Sequence, residues 1–263
     1  MISLASRRFS GLAHGGPALF MFLLVMLPMA LLSACRSQLQ EQLYQGTALG
    51  TGYHITLYAD LDATERDRIA VGIQGELAQL QQQREALLGT LAAAFSATPK
   101  VLAATPVALV DELDRLIHAL AVDRLTEWLT ELEVEHMMVE VGGVIRTRGL
   151  PPGGGWWLSL EHAGLPEQGE GRRINLTDAA LVHRLVRPTP VAIPALPRTL
   201  GISVVAATAS EASRQALLLM VADQQGTTPS QTLGVDSAAR LVVKTPQGIE
   251  IRYTTAMEPW FES

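Results

Sequence analysis

The sequence predicts an α+β domain, an antiparallel or mixed sheet covered by helices. Long segments of helical periodicity, at 62–88 and 112–132, alternate with short segments of strand character. Tight turn signals, Gly142-Gly143 and Thr245-Pro246-Gln247-Gly248, sit between such strands. Strands grouped with a few long helices build two packed layers around one core.

Along the chain, a glycine-punctuated turn at 46–52 leads into Tyr53, Ile55 and Leu57, which alternate and so share one face of a strand. Segment 62–88 carries Ile69, Ile73, Leu77, Leu80, Leu87 and Leu88 near helical spacing, with a Gln-rich solvated side. The Ala/Thr/Pro-rich stretch at about 92–110 reads as a low-complexity linker or weakly ordered crossover. From Glu112 a second helix begins. Its stripe is Val122, Leu125, Trp128, Leu129 and Leu132, with Asp123, Arg124, Glu127 and Glu131 turned outward.

A strand follows at 134–141, and Gly142-Gly143 then lets the backbone turn or approach a ligand closely. An ordinary β-turn satisfies the same pair. Pro151-Pro152-Gly153-Gly154-Gly155 leads into a strand at 156–160, a polar loop at 164–171 and a strand at 172–176. Strand 201–206 runs into a helix at 209–222, where Thr208 and Glu211 form a capping box. Its stripe is Ala209, Ala212, Ala216, Leu217, Leu219 and Met220, so Leu217 is expected to extend the core. Residues 240–244 and 249–253 form a closing hairpin.

The N-terminus has a different logic. Arg7 and Arg8 precede an apolar run at 18–32, broken only by Pro28 and followed by small residues before Cys35, the only cysteine. The pattern is a secretion signal. Leu32-Ser33-Ala34-Cys35 resembles the lipobox of bacterial lipoproteins, which implies cleavage before Cys35 and a diacylglycerol on its sulfur. A plain signal peptide and a retained span are the alternatives, but the run is shorter than the ~20 residues that cross a bilayer. The expected organisation is a signal peptide at 1–34, a tether at 35–45 and a domain at 46–263, on the periplasmic face of the outer membrane. Without the first 34 residues the chain keeps 18 of its 20 basic residues against 26 acidic ones, a formal charge of −8 (18 − 26). That excess argues against nucleic acid as a partner.

Five segments carry a further resemblance. Residues 121–149, AVDRLTEWLTELEVEHMMVEVGGVIRTRG, are similar to the part of the FAD:protein FMN transferases (the ApbE family of periplasmic lipoproteins) that ends in a Val-Gly-Gly-acid-Ile-Arg turn. Val144 replaces that acid. Residues 46–58 resemble the family's opening strand, with Leu49 at the position of a methionine that packs on FAD. Residues 112–123 can be laid on D-L-G-G-I-A-K-G-Y-A-V-D: Glu112 keeps an acid that holds FAD, His118 replaces a lysine, and Arg115 replaces a small residue whose carbonyl reaches the metal. Read alone, His118 is a structural helix histidine. Residues 183–190 resemble H-I-x-D-P-x-T-G, retaining His183 and Thr189 as candidate catalytic residues. On the helix at 209–222, the family's magnesium-binding Asp and Thr correspond to Ser213 and Leu217.

The resemblance implies an ApbE-like scaffold that lacks much of the flavin lobe, since only segment 92–110 stands where the family has a flavin-contacting loop. FAD is the implied cofactor, contacting Leu49, Glu112, His118, Gly142 and Gly143. Mg²⁺ is the family's metal, but a serine hydroxyl brings no charge to it and a leucine cannot ligate. Three functions follow: an FMN transferase acting on a flavoprotein or respiratory-complex subunit, a binding module that has lost the chemistry, or a structural envelope lipoprotein.

Overall fold

The structure, a computed structural model, describes residues 39–96, 105–160, 172–186, 198–224 and 237–261. Cys35 and Thr189 lie outside them. Among the described residues ten strands and three α-helices follow in chain order: β1 (Gln40–Ala48), β2 (Thr51–Ala59), α1 (Ala63–Ser96), α2 (Thr105–Glu131), β3 (Met137–Val141), β4 (Val144–Arg148), β5 (Trp157–Ser159), β6 (Arg173–Asn175), β7 (Ala180–Leu185), β8 (Arg198–Ala206), α3 (Ala209–Gln224), β9 (Ala238–Thr245) and β10 (Gly248–Tyr253). A 3₁₀ helix at Thr255–Trp260 closes the described chain. Eight strands form one sheet in the order β1-β2-β3-β4-β7-β8-β9-β10, antiparallel at every pairing, and β5 and β6 form a small second sheet. The expected α+β class is therefore realised with a fully antiparallel main sheet.

Strand alternation divides the sheet into two faces. Tyr53, Ile55 and Leu57 of β2, Val139 of β3, Val182 of β7 and Val204 of β8 turn toward the helices. There they meet Ile73 and Leu77 of α1, Val122, Leu125 and Leu129 of α2, and Ala212, Ala216 and Leu219 of α3. Each valine, leucine or isoleucine among them contributes about 1.5–3 kcal/mol by leaving water. On the other face Leu181, Val205 and Ala238 pack with Ile174, Leu176 and Met257 beneath the β5–β6 sheet.

Helix α1 lies close to α2 because Gly72 gives way to Trp128: a Cβ at 72 would come within 2.2 Å of the indole. Arg84 donates from Nε and Nη2 to Asp114 at 2.6 and 3.0 Å, a two-pronged pair between the helices. Beyond it α1 leaves the core, so Leu87 is exposed, contrary to its place in the expected stripe.

Four expectations are corrected. Residues 40–45 are not tether but the first two thirds of β1, paired in full with β2, because a polar, two-sided sequence is what an edge strand tolerates. Stretch 92–110 is helical on both sides of 97–104, which are outside the described residues; alanine, the best helix former, outweighs its low complexity. Segment 144–148 continues past the glycine turn as β4, and 180–185 forms β7. Asp123 does not face outward. It is 6 % exposed and makes the best-built polar contact in the core.

That contact joins three elements. Asp123 Oδ1 accepts from Arg146 Nη1 on β4 at 2.9 Å and from the amide of Ala209 at 2.8 Å. Its Oδ2 accepts from the amide of Ser210 at 2.8 Å. Two unpaired amides at the start of α3 are thus satisfied by a side chain from α2, while Thr208 Oγ1 takes a third, that of Glu211, at 3.2 Å. Asp123→Ala should cost about 3–5 kcal/mol in urea unfolding, since it leaves the half-buried Arg146 without its main partner. Asp123→Asn, which keeps acceptor oxygen without charge, should cost less.

The Glu211 carboxylate turns to Arg214 and Gln215 instead of closing the capping box. These hydrogen bonds, Arg214 first, lower its pKa from 4.5 to about 2. Because the folded value is depressed, its contribution is complete above about pH 4.5 and is lost as pH falls toward 2. The group is 38 % exposed, so the contribution is small and screened. Urea melts of wild type and Glu211→Gln should differ at pH 6, and the difference should shrink as pH falls toward 2.

Candidate functional site

The register brings two hairpin turns to one end of the sheet. β2 pairs with β1 through the Leu49-Gly50 turn and with β3, whose last residue Val141 faces Tyr53. Leu49 and Gly50 have φ of 55° and 77°, Gly142 and Gly143 of 60° and 80°. These are the values of the two-residue turns whose twist suits a hairpin. The turns touch: the Gly142 amide donates to Gly52 O at 3.1 Å.

His118 of α2 ties them together. Its Nε2 is 3.1 Å from Leu49 O, and because a carbonyl only accepts, Nε2 carries the proton. The ring lies on Gly142, where a Cβ would come 2.5 Å from Nδ1. Leu49 is buried at 3 % exposure although its backbone is left-handed, a conformation costing about 1–2 kcal/mol that its burial offsets. Beside this turn a cleft of about 700 Å³ opens toward α1, lined by Thr47, Leu49, Thr51, Gln74, Leu77 and Gln81 among others. The size suits a small-molecule ligand. Among the described residues none that lines it is charged.

A second constellation forms across α2, β7 and α3 at the same end of the sheet. Arg184 of β7, 2 % exposed, donates from Nη1 to Glu112 Oε2 and from Nη2 to Ser213 Oγ at 3.2 Å. Arg115 stands beside it, its Nε 3.9 Å from Glu112 Oε1. Leu217, one turn after Ser213, is half-buried and belongs to neither apolar cluster. The expectation that it extends the core fails, because the stripe of α3 runs through Ala212, Ala216 and Leu219.

Predicted residues thus fall into two groups: Leu49, His118, Gly142 and Gly143 at the turns, and Glu112, Arg115, Ser213 and Leu217 around Arg184. His183 joins neither. Alternation puts it on the sheet face opposite Arg184, where its Nδ1 is 3.0 Å from Ser203 Oγ. His183, the candidate catalytic histidine, therefore stands apart from Glu112 and Ser213. Val144 is buried against the helices. Two residues escaped the sequence reading. A charge inside the apolar strand ALVHRL was the available signal for Arg184. For Asp123 it was position, since Ala119, Val122 and Thr126 place it on the buried side of α2.

The donor set does not fit Mg²⁺. A hard cation takes about six oxygens, chiefly from carboxylates. Here Ser213 offers a hydroxyl, Leu217 nothing, and Glu112 is bonded to a guanidinium. Among the described residues no three His, Cys, Asp or Glu side chains gather as a metal-binding group.

The eight-stranded antiparallel sheet with helices on one face and paired turns at one end is a fold shared with solved flavin transferases. A histidine-to-glycine mutant of the flavin transferase ApbE of Vibrio cholerae superposes with a TM-score of 0.61 at 14 % identity, covering 84 % of this chain and 99 % of that one. The apo flavinyl transferase ApbE of Pseudomonas stutzeri gives 0.59 at 13 %, covering 86 % and 98 %. The ApbE protein of Thermotoga maritima gives 0.58 at 13 %, covering 85 % and 100 %. Residues 111–183 match the ApbE family model. The sequence match to the ApbE family is thus confined to that segment, and the solved structures extend the likeness of fold beyond it. No curated protein matches it.

Gly142→Ala should destabilise the protein by about 2 kcal/mol, from the left-handed backbone and from contact with His118. In a His118→Ala background only the backbone cost of roughly 1 kcal/mol should remain. A double-mutant cycle in urea measures the difference.

Proposed function

We propose that this chain is a lipid-anchored envelope protein, tied through its flavin-transferase scaffold to the covalent flavinylation of a partner protein, with Mg²⁺-dependent transfer reduced or lost. The partner is a flavoprotein or a subunit of a respiratory complex. One observation carries the reading: Glu112, the acid that the resemblance assigns to FAD, is bonded to the buried Arg184, which also holds Ser213. The charges that would manage a flavin diphosphate and its metal are satisfied inside the protein. A second reading, a binding module without chemistry, is favoured by the uncharged cleft at Leu49, which suits an apolar ring better than a diphosphate. In either case Cys35 carries the lipid anchor, with the domain on the periplasmic face of the outer membrane. Among the described residues no helix is long and apolar enough to cross a membrane.

The test uses the full chain in detergent. Titration with FAD, followed by flavin fluorescence anisotropy, should give the same affinity with and without millimolar Mg²⁺. Incubation with FAD, Mg²⁺ and a threonine-containing acceptor peptide should leave the peptide without covalent flavin fluorescence. Mg²⁺-dependent labelling would sink the proposal. In cells, Cys35→Ala should leave the outer-membrane fraction, and its retention there would remove the anchor from the reading.

A further inference from the structure

We infer that Arg184 supplies from within the chain the positive charge that a metal would bring, and that its guanidinium closes the site to divalent cations. The inference deepens the proposed function, but it concerns metal uptake alone and can fail by itself.

The argument starts from charge. Arg184 is almost fully buried, and a guanidinium remains charged at any pH a protein survives. Such a charge needs a partner, and among the described residues Glu112 is its ionic one, with Ser213 as a neutral acceptor. Its Nε has no hydrogen-bond partner among the described residues, so the group is held by its two terminal nitrogens. These occupy the space between the side chains of residues 112 and 213. A divalent ion drawing on oxygens at those positions would lie within a few ångströms of the guanidinium, where like charges in a poorly hydrated site repel strongly.

Substitution on α3 alone therefore does not reopen the site. In Ser213→Asp/Leu217→Thr two oxygen-bearing side chains would share one helical face, yet the new carboxylate would lie within reach of Arg184 Nη2. A short charge-assisted hydrogen bond would form in place of the present one at 3.2 Å. Arg184 must also go. Isoleucine, the residue the family resemblance has at this position, removes the charge and keeps an apolar side chain.

The experiment compares wild type, Ser213→Asp/Leu217→Thr and Arg184→Ile/Ser213→Asp/Leu217→Thr, each as the full chain in detergent, with Mn²⁺ as the probe. Free Mn²⁺ is read by electron paramagnetic resonance and folding by circular dichroism, without flavin. Wild type and the double variant should leave Mn²⁺ free at millimolar concentration, whereas the triple variant should bind it at least tenfold more tightly than the double. Uptake by wild type overturns the inference, and so does equal uptake by the double and triple variants. A folded triple variant that binds nothing overturns it as well. Should the triple variant fail to fold, the double variant decides: a raised melting temperature that Mn²⁺ does not change supports the block, and Mn²⁺ uptake refutes it. Because no arm uses FAD, Mg²⁺-dependent FMN transfer by wild type would refute the proposed function separately.

Discussion

The contact on which the rest of the structure depends is the bridge from Asp123 to Arg146 and to the first amides of α3. One carboxylate fixes where α2 crosses the sheet, where β4 lies beneath it and where α3 begins. A buried ion pair alone is weak evidence for stability, because desolvation opposes its Coulomb gain. Here two helix amides fill the remaining acceptor positions, so the charge is solvated by the protein. The bridge also links two segments that resemble the ApbE family in sequence, the AVDR helix and the VGGVIR turn.

From that fixed point the functional end follows by geometry. Helix α2 runs back from Asp123 to His118 and Glu112, and α3 runs forward from Ala209 to Ser213 and Leu217. The hairpin turns at Leu49-Gly50 and Gly142-Gly143 arrive at the same end because β2 pairs with both β1 and β3. His118 then performs a structural task, holding the Leu49 carbonyl and the Gly142 backbone in one place. A lysine there would reach farther and donate from a point charge, whereas an imidazole packs as a plate against a residue without a side chain.

What could be read from the sequence was whatever depends on neighbours along the chain. The alternation of Tyr53, Ile55 and Leu57 placed them in the core, the doubled glycine placed a turn, and Thr208 with Glu211 placed the start of α3; the amide bond to Thr208 is present, though Glu211 pairs elsewhere. What could not be read depends on partners distant in sequence. Asp123 looks like a solvent-facing charge until β4 and α3 are brought to it, and Arg184 looks like a misplaced charge until Glu112 and Ser213 surround it. The polar start of β1 misled in the opposite sense, since its strand character comes from nine residues of pairing with β2 and not from its own side chains.

The site end can be understood as a balance of charge. The guanidinium of Arg184 brings a positive charge into the buried face of β7, and the half-buried carboxylate of Glu112 neutralises it. A solvent cation or metal leaves when conditions change, whereas an arginine on the same chain does not. Arg184 occupies that place, the hydroxyl of Ser213 accepts its second hydrogen bond, and Leu217, one turn on, lies on the half-buried surface of α3. Residues distant in sequence, at 112, 184 and 213, thus act as one unit, in which a buried guanidinium is held by a half-buried carboxylate and a hydroxyl.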